Sequence, residues 1–282
     1  MTTIAQAKAS LRQTLLRHNG DTSHPSVQEA IVKLQNLAAN HHRQGVEWNI
    51  TKDPDVHMGR WLTISIPPFP GRLQDDSSTA ARYTLGRMSF NMFKPTKAIC
   101  TINQIFNVIE QFDTDESNGT WEQSYNFEVL MDIAVPINED GGETSSETIQ
   151  LPAKLVNYGS CKPAAPTRLA VKFTSGVLQP HFDMALKENE LLTSTWRNVF
   201  DGAITKEVAS QSLTEKLTTA ASNVLMKLMM GLSPPVDCDD LTQTYNISRP
   251  IAGHLDILYM DDDIRISRGN RGTIVVVERV KE

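Results

Sequence analysis

The chain has 282 residues, 40% of them hydrophobic and 21% charged, with a formal net charge of -6. That is enough for one large domain or two small ones, in a composition that is neither disordered nor fibrous. No run approaches the roughly 20 consecutive apolar residues of a bilayer-spanning helix. The acidic balance also argues against a protein that grips nucleic-acid phosphates.

Two helices are predicted at the start. Over 3–18, Ile4, Ala7, Leu11 and Leu15 recur at helical spacing. Over 25–40, Pro25 lies in the first turn, Ser26-x-x-Glu29 suggests a capping box, and Val27, Ile31, Leu34 and Ala38 form one stripe. The stretch His41–Gly45 ends this helix. Lys8, Arg12 and Arg17 precede the first acidic residue, Asp21, yet the helical period runs on, so residues 1–45 read as a folded hairpin and not as a cleaved address.

From residue 59 the pattern changes to strands. Residues 59–66 alternate and stop at the turn cluster Pro67-Pro68-Phe69-Pro70-Gly71. Strands over 83–90, 98–109 and 121–135 follow. Within 98–109, alternation puts Ile99, Thr101, Asn103, Ile105, Asn107 and Ile109 on one face, and Cys100, Ile102, Gln104, Phe106 and Val108 on the other. Both faces carry apolar groups, as in a wall between a barrel interior and helices. A polar loop over 137–146 is followed by strands at 148–157, 167–174, 253–260, 263–268 and 272–280. Between 183 and 235 the strand pattern gives way to helices at 187–200 and 206–230, the second ended by Gly231 and Pro234-Pro235. Eight or nine strands in sequential hairpins predict a mainly β chain: an antiparallel β-barrel over 46–282 with a helical insertion at about 183–235.

Chemistry-bearing motifs are few. Cys100, Cys161 and Cys238 are far apart and odd in number, which fits a reducing interior better than a disulfide framework. There is no P-loop, GxGxxG, HExxH or GxSxG, and the seven histidines show no catalytic spacing. No catalytic residue and no cofactor is assigned. Asp261-Asp262-Asp263 invites a metal reading, but three successive residues of an extended segment point to alternate sides. A solvated hairpin turn without metal is the expectation.

The last thirty residues are the most distinctive. Gly269-Asn270 and Gly272 supply turn residues that tolerate φ > 0, and Ile264 and Ile266 face the core while Arg265 and Ser267 face the opposite side. The sequence from Tyr259 through Asp261, Asp263, Arg265, Arg268, Gly269, Asn270 and Gly272 to Thr273 resembles the C-terminal motif of the plastid lipid-associated protein (fibrillin) family of cyanobacteria and chloroplasts. Residues 168–178 are similar to the family's preceding strand. Gly59-x-Trp61 is similar to its first strand and to the opening of lipocalins.

This resemblance implies a lipocalin-like barrel that binds hydrophobic small molecules such as isoprenoids, quinones, carotenoids or lipids. It further implies peripheral contact with thylakoid membranes from the cytoplasmic or stromal side, no secretion, and scope for a photosynthetic protein partner. Within it, Gly59, Trp61 and the Tyr259–Gly272 motif read as mainly structural. Trp61 would close one barrel end under an arginine, with Arg265, Arg268 and Arg279 as candidates. Trp61, Phe90, Phe106, Phe127 and Phe173 are the candidate ligand-binding residues of the interior, although core filling would use the same side chains. The favoured function is a non-enzymatic carrier or scaffold. The alternatives are an assembly factor with a filled barrel, and a tetrapyrrole-handling barrel protein.

Overall fold

The computed structural model describes residues 3–42, 50, 54–67, 69–73, 80–89, 91–115, 120–136, 148–181, 190–201, 203, 236–237, 241–250 and 252–281. In chain order the strands are β1 (Gly59–Thr63), β2 (Ala81–Thr84), β3 (Ile99–Ile109), β4 (Gln111–Asp115), β5 (Thr120–Ser124), β6 (Asn126–Pro136) and β7 (Thr148–Ala165). They continue as β8 (Arg168–Pro180), β9 (Val236–Asp237), β10 (Gln243–Asn246), β11 (Gly253–Met260), β12 (Ile264–Gly269) and β13 (Ile274–Arg279). The helices are α1 (Ile4–Arg17), α2 (Pro25–His42), the one-turn α3 (Leu85–Met88) and α4 (Glu190–Phe200).

Eight strands close on themselves in the order β1-β3-β6-β7-β8-β11-β12-β13, with β13 returning to β1, and every pair in the ring is antiparallel. This is the expected lipocalin-like, up-and-down barrel. At eight strands the interior is just wide enough for side chains or one small ligand. The remaining strands are appendages: β2 edges β3, β5 and β4 extend from β7, and β10 and β9 extend from β8.

The helical hairpin covers the outside of the barrel. Leu11 and Leu15 of α1 and Val27, Ile31 and Leu34 of α2 pack with Tyr259, Ile264, Ile266 and Val276 of β11–β13. These strands are therefore buried on both faces, and Arg265 and Ser267, opposite the hairpin, point into the barrel. Polar ties pin the hairpin: the Thr22 hydroxyl donates to the Ile274 carbonyl at 3.0 Å, and the Ile66 amide donates to the Gly20 carbonyl at 2.8 Å. The capping box is at Thr3 and Gln6 of α1. Ser26 already lies inside α2, so the box suggested there is not formed.

Several boundaries differ from the sequence expectation. The strand expected over 83–90 ends at Thr84, where α3 begins, and Phe90 lies outside the described residues. Residues 121–135 divide at Tyr125 into β5 and β6. β7 and β8 run longer than alternation suggested, bending through bulges at Tyr158/Gly159 and Pro163/Ala165 that keep them paired around the curve. A further bulge between Ile102 and Gln104 shifts the register of β3, so Cys100 and Ile102 share the inner face with Ile105, Asn107 and Ile109. Strict alternation had separated them. The loop 137–146, the helix expected over 206–230 and Cys238 lie outside the described residues.

If the hairpin is integral to the barrel, its buried and exposed leucines must differ. Leu11 is 0% exposed and Leu16 is 82% exposed. Leu11→Ala is expected to cost about 2–5 kcal/mol and Leu16→Ala within about 0.5 kcal/mol, read from urea midpoints at unchanged m-value.

Candidate functional site

Cross-strand register fixes what lines the interior. Trp61 of β1 stands opposite Asn107 of β3 and Arg279 of β13, and Phe127 of β6 stands opposite Asn107 and Asn157. Tyr245 of β10 stands opposite Gly176, where a Cβ would run into its ring. Two apolar clusters occupy the ends. One holds Cys100, Val129, Ile133, Leu151, Leu155 and Leu178 and is plugged by Leu85, Met88, Phe93, Trp196 and Phe200. The other holds Ile109, Tyr125, Cys161, Leu169, Val171 and Met260 and is closed by Ile50, Val56 and Met58.

A polar belt runs between the clusters. The Tyr245 hydroxyl donates to Asn157 Oδ1 at 2.6 Å, Asn107 Nδ2 donates to the Asn126 carbonyl at 3.0 Å, and Arg265 Nη2 donates to Asn107 Oδ1. Asn107, Asn157, Gln243, Arg265 and Ser267 are all buried. Sequence reasoning did not pick out Asn107, Asn157, Tyr245 or His57 as interior groups. The only available signal was an asparagine amid apolar residues of the same strand.

Trp61 is fully buried between two guanidinium groups, with Arg279 4.2 Å and Arg265 4.9 Å from the ring centroid. Its Nε1 donates to the His57 carbonyl at 2.9 Å. Arg279 also donates from Nε to the Asp262 carbonyl at 2.8 Å, from Nη2 to the Val56 carbonyl at 2.7 Å, and from Nη1 to the Met58 carbonyl. One side chain thus clamps the Trp, the short 3-10 helix Pro54–His57 and the β11–β12 turn. Gly59 has φ +114°, and a Cβ there would lie 2.9 Å from Arg279 Nη1. The Gly-x-Trp pattern is thereby a requirement of this clamp.

Arg265 is different. It is buried, Nη2 is its one hydrogen-bonding nitrogen, and Nε and Nη1 meet no acceptor among the described residues. Burial pushes its pKa down, but an arginine remains charged. Of the groups that act on it, Tyr125 and Cys161 are neutral and Arg279 is a second cation. Burial, then the charges of Arg265 and Arg279, lower the His57 imidazole to about 3, and burial pushes the Cys161 thiol up to about 12. His57 Nε2 lies 4.0 Å from Cys161 Sγ.

The rest of the motif is tied together by hydrogen bonds and ion pairs. The Tyr259 hydroxyl donates to Asp261 Oδ2 at 2.6 Å, and Asp261 Oδ1 accepts from the amides of Asp263 and Ile264. Lys8 Nζ reaches Asp261 at 2.7 Å and Asp263 at 2.8 Å. Desolvation opposes charge on Lys8 and Asp261, yet these hydrogen bonds prevail: Lys8 is raised, and Asp261 and Asp263 are lowered. The turn expected to be merely solvated is a tether for α1. Arg268 is exposed and takes no part in the Trp61 stack. In the Gly269–Gly272 turn only Gly272 has a positive φ, +85°.

The candidate lining residues divide. Trp61, Phe127 and Phe173 face inward, and the two phenylalanines are partly buried. Phe106 faces outward, across from Leu62 and Glu128, with the Arg60 guanidinium 3.9 Å over its ring. Its interior assignment is corrected, because the apolar character of both β3 faces had concealed which one is inner. Two clefts, of about 370 and 230 Å³, lie outside the barrel where the hairpin meets the segment after β1.

Because His57 is held neutral, acid destabilises the fold through it. Its folded pKa of about 3 lies below the ordinary 6.5. The unfolded chain therefore binds the extra proton as pH falls from 6.5 towards 3, and stability declines across that window by up to about 1.4 kcal/mol per pH unit. Urea titrations between pH 6.5 and 4.5 should show this slope in the native protein and lose it in His57→Phe.

The family model PAP_fibrillin matches residues 149–278, which hold five of the eight ring strands, β7, β8, β11, β12 and β13. Comparison with curated proteins and with solved structures gives no match. The matched segment contains the Tyr259–Gly272 tether and turn, and the match supports membership of the PAP/fibrillin family.

Proposed function

We propose that this chain is a non-enzymatic binding or scaffold protein for a small apolar molecule held within the barrel. One observation carries the reading. The inward face of a closed eight-stranded ring is apolar towards both ends, and its inward phenylalanines Phe127 and Phe173 are only partly buried. An eight-stranded ring is of the size that holds a single small ligand. The family match supports the same role and suggests a plastid-type setting. As part of the proposal we assign the protein a peripheral place at photosynthetic membranes, on the stromal or cytoplasmic side. No helix among the described residues is long and apolar enough to cross a membrane.

A second reading, a filled barrel serving as an interaction scaffold, is favoured by the dense end clusters and by the two clefts on the outer surface. Organic extraction of natively purified protein followed by mass spectrometry separates the two. A stoichiometric apolar species is expected for the binding protein. Its absence, together with a stoichiometric co-purifying protein, would overturn that reading in favour of the scaffold.

A further inference from the structure

A cation inside a barrel calls for an anion. Arg265 is 2% exposed, and its hydrogen bonding among the described residues is confined to Nη2 and Asn107. Nε and Nη1 are buried without acceptors. No carboxylate is among the groups that act on Arg265, which are Tyr125, Cys161 and Arg279. Buried charges in proteins are ordinarily paired, and a guanidinium is shaped to grip an oxyanion.

We propose that Arg265 anchors the carboxylate of a long-chain acid whose apolar tail lies along the inward aromatic faces of Phe127 and Phe173. This rests on the binding-protein reading and names its head group. Arg279 does not compete for the role, because its three nitrogens already serve the carbonyls of Asp262, Met58 and Val56. One uncommitted positive charge matches one negative charge. His57 and Cys161 beside it are neutral, so the unmet donors of Arg265 are what a carboxylate head group would satisfy. Ser267, two residues along the same face of β12, and Tyr125 are buried as well.

The test uses the full chain, stripped of extractable lipid, with oleic acid and oleyl alcohol as probes below their aggregation concentrations. Titration calorimetry is expected to show the acid binding about tenfold or more tightly than the alcohol, a difference of about 1.4 kcal/mol. Arg265→Met should abolish that preference while leaving the alcohol's affinity within about twofold, and Arg265→Lys should retain part of it. Equal binding of acid and alcohol by the native protein would overturn the head-group assignment and leave the binding-protein reading standing. Failure of both probes to bind would overturn both. The native comparison does not depend on any variant folding.

Discussion

Closing a sheet into a ring depends on its last seam, and here the seam is β1 against β13. Trp61 and Arg279 face each other across it, and the guanidinium that stacks on the indole also takes up three backbone carbonyls from two other segments. A cation–π contact of this kind is worth about 0.5–2 kcal/mol by itself. Its larger effect is geometric. It fixes the short helix that closes one barrel end and holds the β11–β12 turn against the start of β1, beside Gly59, whose φ of +114° strains any side chain.

The two arginines on Trp61 therefore do different work. Arg279 is at the rim, every donor nitrogen engaged and the acidic turn nearby. Arg265 is one strand further round, inside, with a single hydrogen-bond partner among the described residues. A buried, underpaired guanidinium opposes stability, whereas the Arg279 clamp supports it. Polar groups arranged at a cost to stability are the usual mark of a place where something binds. The helical hairpin makes this arrangement affordable. By covering the outer face of β11–β13 it places Ile264 and Ile266 in one core and Arg265 and Ser267 in another.

Much of this was legible in the sequence, for identifiable reasons. The hairpin stripes survive intact because 3.6-residue periodicity depends on little beyond local geometry: Ala7, Leu11, Leu15, Val27, Ile31 and Leu34 are all buried. The alternation of Ile264, Arg265, Ile266 and Ser267 is equally local. What was not legible required knowledge of partners. A one-residue bulge at Ile102/Gln104 reorders the faces of β3, and no residue type announces it. Phe106 is outside, under Arg60, because cross-strand register aligns it with Leu62 and Glu128 while its neighbour Asn107 aligns with Trp61 and Phe127. Which arginine would stack on Trp61 could be narrowed to three, but only register separates Arg265 and Arg279 from the exposed Arg268.

One arginine holds the barrel, and the other is placed to take an anion within it. Thermal unfolding of the lipid-stripped protein with either arginine replaced by methionine tests this most directly. Arg279→Met should lower Tm by several degrees, while Arg265→Met should leave Tm unchanged or raise it, as replacing a buried underpaired charge by an apolar side chain often does. A large loss of Tm in Arg265→Met, with Arg279→Met close to the native protein, would contradict the account.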